Sequence, residues 1–225
     1  AFGTSRTGAR FLLRDLIHNK AYFTRSSADA VICSTANFVY NIDLDEVYAA
    51  HKESGADITV LTKTASEKDA DVTAFDVIDG RVQGVRQGVN FGDTMFLDCF
   101  VINRDLLLQI IDRYATSDYL DVFEATEPDF SLIDVCSYEF KGLAMGIFDE
   151  KTYYERSMEL LNPVASDQLF RRDRPILTKA HDAPPAKYST GSNATNSLIS
   201  AGCKIMGTVR NSILARGVVV EGGAS

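Results

Sequence analysis

The sequence predicts an α/β domain followed by the first coils of a parallel β-helix. Three patterns favour this fold class: strand–helix–strand alternation over residues 30–62, a β-hairpin signal over residues 72–85, and regularly spaced aliphatic residues and glycines from Asn196 onward. Alternating strands and helices are typical of α/β folds. Aliphatic residues at hexapeptide spacing are typical of β-helix coils.

The first third of the chain contains the clearest α/β alternation. The predicted elements are a helix over 9–24, a strand over 30–34, a helix over about 44–54 and a strand over 57–62. Asp43 is a suitable N-cap for the second helix, and Gly55 is a suitable C-terminal stop. This order predicts a parallel sheet with a right-handed crossover.

A hairpin and a second set of alternating elements follow. The apolar–polar alternation of residues 72–85 is interrupted by Asp79–Gly80, a dipeptide typical of two-residue hairpin turns. Beyond the hairpin we predict a strand over 96–102, a helix over 104–114, a strand over 132–140 and a helix over 149–161. The last helix is expected to stop before Asn162–Pro163.

The chain changes character after residue 162. We therefore predict an α/β domain over 1–162, a proline-rich linker over 163–195 and the start of a β-helix over 196–225. Because the chain starts without methionine and ends within a repeat, we expect it to be a fragment of a longer protein.

The predicted β-helix depends on the spacing of aliphatic residues. Ile199 and Ile205 are six residues apart, as are Ile213 and Val219, and we expect all four to point inward. An ordinary β-hairpin domain is the alternative.

Composition narrows the possible partners and surroundings. The 225 residues carry a formal charge of −8, which argues against nucleic acid and anionic membranes as partners. No apolar run approaches the ~20 residues that span a bilayer. Four cysteines without metal-ligand spacing favour free thiols in a reducing cytoplasm: Cys33, Cys99, Cys136 and Cys203.

The candidate functional site is the stretch DAVICSTANFVYNIDL, residues 29–44. Its apolar strand, Ala30 to Cys33, continues into a polar end, Ser34 to Asn37. Open α/β sheets bind ligands at the carboxyl ends of their strands, so we expect chemistry there.

Four segments resemble the glucose-1-phosphate adenylyltransferases, also called ADP-glucose pyrophosphorylases. The window ICSTANFVYNIDL is similar to the family's active-site strand, which reads close to LILSGDHIYKMDY. The other three segments are YEFKG with TYYERSMELLNP, the linker RPILTKAHDAPPAKY, and NSLISAGCKIMGTVRNSIL at the start of the predicted coils.

This resemblance implies a Rossmann-like nucleotidyltransferase domain followed by a left-handed β-helix used in subunit assembly. It also implies a role in bacterial glycogen synthesis, where the family joins ATP and glucose 1-phosphate to give ADP-glucose and pyrophosphate. The chain would then lack the family's N-terminal glycine-rich loop and most of its β-helix.

The resemblance also indicates where this chain departs from catalytic members. The family's two metal-binding aspartates fall on Asn37 and Gly146, and neither residue supplies a carboxylate. The family's sugar-phosphate lysine is missing from the run RVQGVRQGVNFGD. Arg86 or Arg81 is left to bind an anion, and Arg86 is the candidate substrate-binding residue. The favoured alternative is that each arginine is an exposed charge on the hairpin.

These departures match the non-catalytic D-type subunit of the family. We expect a regulatory, catalytically silent chain without a cofactor of its own, in a cytoplasmic hetero-tetramer with a catalytic subunit that holds Mg²⁺. One alternative is an active adenylyltransferase whose metal site is rearranged around Asp149 or Asp43. Another is a hexapeptide-repeat acyltransferase that carries a sugar nucleotidyltransferase domain.

Overall fold

A computed structural model describes residues 10–116, 119–179 and 182–225. The chain divides into two compact units. Unit 1 comprises residues 1–38 and 42–141, and unit 2 comprises residues 39–41 and 142–225.

The elements up to residue 141 form an α/β arrangement. In chain order they are α1 (Leu13–His18), α2 (Lys20–Arg25), β1 (Ala30–Ser34), β2 (Phe38–Tyr40), α3 (Leu44–Ser54), β3 (Ile58–Thr64), β4 (Asp69–Ile78), β5 (Arg81–Val89), β6 (Thr94–Asn103), α4 (Arg104–Arg113), α5 (Val122–Thr126), a 3₁₀ helix (Glu127–Asp129) and β7 (Val135–Glu139).

The main sheet is mixed, whereas the sequence predicted a parallel sheet. Its six strands have the order β1-β6-β3-β7-β5-β4, and β6 also pairs with β4. Strands β3 and β7 pair in parallel. Strand β6 runs antiparallel to both β1 and β3 and lies between them. Strands β1 and β3 therefore share a direction without being neighbours.

Local turn and cap chemistry agrees with the sequence-based expectations for α3 and the hairpin. Asp43 caps α3 by accepting a hydrogen bond from the backbone N–H of Asp45, and Gly55 ends the helix with φ 65°. Asp79 and Gly80 both have positive φ, 50° and 77°, as a type I′ hairpin turn requires.

The helix predicted over 9–24 is two short helices instead. The break is at Asn19, whose backbone leaves the helical region and whose side chain donates to the Asp15 carbonyl oxygen. Asparagine side chains that bond to nearby backbone compete with helix continuation, which explains the interruption.

The core of unit 1 is organised around phenylalanine rings. Phe123 contacts Phe75, Phe96 and Phe100 edge-on, with ring centroids 5.1 to 5.3 Å apart. Phe11 joins this group through Phe100 at 4.9 Å. Edge-to-face contacts of this kind add to the free energy gained by burial, so Phe11 fixes the segment before α1 to the core.

Unit 2 contains two helices and several short strands. Its further elements are β8 (Ala144–Gly146), α6 (Glu150–Glu159), α7 (Pro163–Leu169), β9 (Lys187–Tyr188), β10 (Asn193–Ile199), β11 (Lys204–Ile205), β12 (Thr208–Leu214) and β13 (Val219–Val220). Helix α7 lies in the segment expected to be a linker, and its residues Ala165 and Leu169 are buried.

Strands β10 and β12 pair in parallel, and so do β9, β11 and β13. The register brings Ile199 beside Leu214 and Ile205 beside Val220, each pair 15 residues apart (214 − 199 and 220 − 205). All four belong to the small core of this region.

The prediction of inward positions is therefore right for Ile199 and Ile205 and wrong for Ile213 and Val219. Ile213 and Val219 are 38% and 48% exposed. The reason is the 15-residue register, which carries the inward positions one residue further along than Ile213 and Val219.

Within the described residues, no helix has the length and apolarity needed to cross a membrane.

Candidate functional site at the end of β1

The polar end of β1 is held against the middle of β6. The backbone N–H of Thr35 donates to the carbonyl oxygen of Asp98 at 3.0 Å, which extends the β1–β6 pairing beyond Ser34. The backbone N–H of Asn37 then donates to the Thr35 hydroxyl at 3.3 Å. The chain turns here at the carboxyl end of the strand, where the sequence predicted the site.

Asp98 is the centre of this site and was not predicted from the sequence. Its side-chain oxygen Oδ2 accepts hydrogen bonds from the Thr35 hydroxyl and from Asn37 Nδ2, each at 3.1 Å. Arg10 Nε lies 3.2 Å from the same oxygen in an ion pair. Asp98 is 1% exposed, so these groups replace the water that its carboxylate would otherwise bind.

Burial and the neighbouring donors act in opposite directions on the charge of Asp98. Burial raises the pKa of the Asp98 carboxyl group, while Arg10, Asn37 and Thr35 lower it. The net shift is upward, so burial dominates. Donors that face the charged form are the means by which a protein keeps a buried carboxylate ionised.

Asn37 directs its amide nitrogen, not its oxygen, to this carboxylate. A magnesium ligand in this position has to offer an oxygen, and carboxylates are preferred. The described residues contain no group of three or more His, Cys, Asp or Glu side chains that could hold a metal ion. At the end of β1 the Asn37 side chain therefore serves as a hydrogen-bond donor to Asp98.

Gly146, the other position matched to a metal-binding aspartate, is the last residue of β8 and has no side chain to offer. Asp149 caps α6, where it accepts hydrogen bonds from the backbone N–H and the hydroxyl of Thr152. The bond from the Thr152 backbone is the main reason why the pKa of Asp149 is lowered. Asp43 has the corresponding role for α3. Both acids of the rearranged-site alternative thus serve as helix caps.

Arg86, the candidate substrate-binding residue, lies in β5 between two acids. Its guanidinium group is 2.7 Å from Asp93 and 3.3 Å from Asp76, and it also donates to the Gly88 carbonyl oxygen. The hydrogen bond to Asp93 is the main cause of the raised pKa of Arg86. Its charge is therefore used within the hairpin region.

Arg81 has similar internal partners. It pairs with Asp134 and donates to the thiol sulfur of Cys136 at 2.8 Å. Neither arginine that was left to meet an anion extends unpaired into solvent.

A signal for Asp98 was present in the sequence. It is the one charged residue in the otherwise apolar run FLDCFVI, residues 96–102. A charged side chain inside such a strand has to be paired when it is buried. Its partners, however, come from residues 88 and 61 positions away, and spacing alone does not identify them.

No family model matches the chain. Individual curated proteins do. Over 202 residues, the chain is 32% identical to the glycogen biosynthesis protein GlgD of Bacillus subtilis. This alignment covers 90% of the chain and 50% of that protein. It is 30% identical over 203 residues to GlgD of Geobacillus stearothermophilus, covering 90% and 51%. It is 29% identical over 232 residues to the glucose-1-phosphate adenylyltransferase of Corynebacterium jeikeium, covering 88% and 56%.

The chain belongs to the glucose-1-phosphate adenylyltransferase family. This family member spans about half the length of the curated relatives that it matches. The resemblance inferred from four short segments therefore extends over most of the chain.

Proposed function

We propose that this chain is part of a regulatory, catalytically silent subunit of a glucose-1-phosphate adenylyltransferase in glycogen biosynthesis. The observation that carries the proposal is at the end of β1. There Asn37 stands where the family resemblance places a metal-binding aspartate, and its amide binds the internal carboxylate of Asp98.

The chemistry of adenylyl transfer explains why this matters. Attack of a sugar phosphate on the α-phosphorus of ATP concentrates negative charge, which Mg²⁺ neutralises while carboxylates hold the metal. Removing one group that stabilises transition-state charge typically lowers the rate by about 10²–10³-fold. Position 146 also supplies no carboxylate, so two such groups are missing.

An active enzyme with a rearranged metal site is the second candidate, and one observation favours it. Asp98 does place a carboxylate 3.1 Å from Asn37. That carboxylate is paired with Arg10 and almost fully buried, however, and Asp149 and Asp43 cap helices. These contacts support the silent subunit over the rearranged enzyme.

The second unit supports a role in assembly. Its parallel strands repeat with a 15-residue register, and we propose that they begin a left-handed β-helix that binds a catalytic subunit. The catalytic subunit supplies Mg²⁺, and the assembly is a hetero-tetramer without nucleic acid or membrane. We place it in the cytoplasm, which suits the four free cysteines.

An activity assay tests this proposal. The full-length protein is assayed for ADP-glucose formation alone and after mixing with its catalytic partner, with the partner alone at equal total subunit concentration as the control. We expect no turnover by the protein alone and a changed rate or effector response in the mixture. Robust Mg²⁺-dependent turnover by the protein alone overturns the proposal.

A further inference from the structure

Three side chains from different parts of unit 1 converge on one carboxylate oxygen, Thr35 and Asn37 by hydrogen bonds and Arg10 by an ion pair. Arg10 precedes α1, while Thr35 and Asn37 follow β1, and all three side chains approach Oδ2 of Asp98 at 3.1 to 3.2 Å. The Arg10 side chain is 12% exposed and that of Asp98 is 2% exposed. The donor set is therefore fixed in the protein and shielded from water.

The chemistry of this set suits an anionic oxygen in general. Guanidinium groups bind carboxylate and phosphate oxygens by charge-assisted hydrogen bonds, and hydroxyl and amide donors add to them. None of the three donors requires that the anion come from an aspartate.

The backbone at Asp98 is unusual for its position. Asp98 has φ 51° within a ten-residue strand. Left-handed backbone is uncommon for residues other than glycine, although aspartate and asparagine adopt it more readily than most. The register of β6 against β3 shifts at this point, between Val60 and Thr62, so the positive φ belongs to an irregularity in the strand pairing.

We propose that Arg10, Thr35 and Asn37 form an anion-binding site for a phosphate or phosphoryl group, and that the Asp98 carboxylate occupies it from within the chain. Because Asp98 is tethered, it competes with a free anion at a high effective concentration. The site is therefore closed to phosphate in the wild-type chain and opens when the carboxylate is removed. This inference does not depend on whether the chain is catalytically silent.

The test is an Asp98→Gly variant of the full chain, titrated with inorganic phosphate by calorimetry. Glycine removes the carboxylate and adopts positive φ without steric cost, so the backbone at this position is preserved. We expect the variant to bind phosphate at least about tenfold more tightly than the wild type, as charge-assisted contacts become available to it.

Two controls separate this site from a general gain in positive charge. Adding Arg10→Gln to Asp98→Gly is expected to remove the gain in phosphate affinity. Asp93→Asn releases one partner of Arg86, which is 37% exposed, and is expected to leave phosphate affinity within about twofold of the wild type.

Equal phosphate affinity in Asp98→Gly and the wild type overturns the proposal, as does a gain that survives Arg10→Gln. If Asp98→Gly does not fold, as judged by near-ultraviolet circular dichroism, Asp98→Ala takes its place, because alanine also empties the site, at the cost of strain at positive φ. Asp98→Ala is then expected to bind phosphate more tightly than the wild type. The absence of any gain in that variant contradicts the proposal.

Discussion

Nδ2 of Asn37 lies 3.1 Å from Oδ2 of Asp98. Asn37 is uncharged, whereas Asp98 is a buried acid. This difference in charge allows the contact. The amide donates a hydrogen to the carboxylate, whereas a second carboxylate in the same place would repel it.

Asn37→Asp is therefore expected to destabilise the protein without making it an enzyme. Replacing a hydrogen bond to a buried charge by a like charge is expected to lower the free energy of unfolding by about 1–3 kcal/mol at pH 7. The measurement is urea unfolding. Asn90→Asp, at an exposed asparagine 3.4 Å from Asp93, is the matched control and should cost less than about 0.5 kcal/mol.

The loss of stability in Asn37→Asp should depend on pH. The pKa of Asp98 is already raised, and a neighbouring carboxylate raises it further. The folded state then holds protons more tightly than the unfolded state. Stability therefore falls as pH rises above the ordinary aspartate value of about 4. A difference from wild type that is the same at pH 4 and pH 8 contradicts this account.

Asp29 is an exposed acid whose pKa is lowered, whereas the pKa of the buried Asp98 is raised. Lys52 donates to it at 2.8 Å and Tyr48 donates to both of its oxygens. The hydrogen bond from Lys52 is the main reason why the pKa of Asp29 is lowered to about 2.

We expect the Asp29 carboxyl group to titrate near 2 in an NMR experiment, and Lys52→Ala to raise that pKa more than Tyr48→Phe does. The stabilising contribution of Asp29 is present above its unfolded value and is lost as the pH falls toward 2. A larger effect of Tyr48→Phe would reverse the order of the two contributions.

At the scale of elements, α5 shows how one side chain can join two parts of a chain. Asp121 caps this helix by accepting from the Phe123 backbone N–H. Its other oxygen accepts from the backbone N–H groups of Arg10 and Phe11. The sequence predicted a solvated helix face for the acids around Asp121, and this prediction is wrong for Asp121, which is 9% exposed.

Asp121→Ala should be costly because three backbone donors lose their acceptor. A lost N-cap costs about 1 kcal/mol, and buried donors without partners cost about 1–3 kcal/mol each. We expect the free energy of unfolding to fall by about 2–5 kcal/mol in a denaturant titration. Asp43→Ala, which removes the cap of α3, is the control and should cost about 1 kcal/mol. Equal costs would mean that the contacts to residues 10 and 11 contribute nothing.

Elements whose information is local were predicted well from the sequence. Helix α3 and the Asp79–Gly80 turn follow from caps and glycines, and both were placed correctly. The insertion of β6 between β1 and β3 depends on contacts far apart in sequence, which periodicity does not report. The candidate site shows the same difference. Asn37 was predicted from its position at the end of a strand, whereas Asp98 and Arg10 could be assigned to the site only from the folded structure.

The register of the C-terminal strands could have been found with a different comparison. Aligning NSLISAGCKIMG with NSILARGVVVEG reveals a repeat of 15 residues, from Asn196 to Asn211 (211 − 196). The two asparagines share positive φ and a side-chain hydrogen bond of 2.8 Å. A search at hexapeptide spacing alone passes over this longer period.

Equivalent glycines in that repeat should respond differently to substitution. A Cβ at Gly207 would overlap the backbone carbonyl oxygens of Glu221 and Ala224, whereas one at Gly222 would meet nothing within 4 Å. We expect Gly207→Ala to lower stability by about 1–3 kcal/mol, since the backbone has to move. Gly222→Ala should be nearly neutral. Hydrogen exchange at the Thr208 amide, which donates to Ala224, reports the difference.

At the scale of the whole molecule, the proposal that this chain does not hold Mg²⁺ has a thermodynamic consequence. A ligand that binds only the folded state raises the midpoint of thermal unfolding. We expect millimolar Mg²⁺, with or without ATP, to shift the midpoint of the full-length protein by less than about 1 °C. The adenylyltransferase of Corynebacterium jeikeium provides a comparison under the same conditions. A rise that a chelator reverses contradicts the silent-subunit proposal.

The strand that contains Val39 bears on how genes of this kind can be recombined. Residues 39–41 group with residues 142–225, and the Asn41 side chain donates to the carbonyl oxygens of Leu169 and Arg174. A chimaera with a single junction at residue 142 would take residues 39–41 and residues 142–225 from different parent proteins. Exchange of residues 142–225 between relatives therefore also requires exchange of the three residues 39–41.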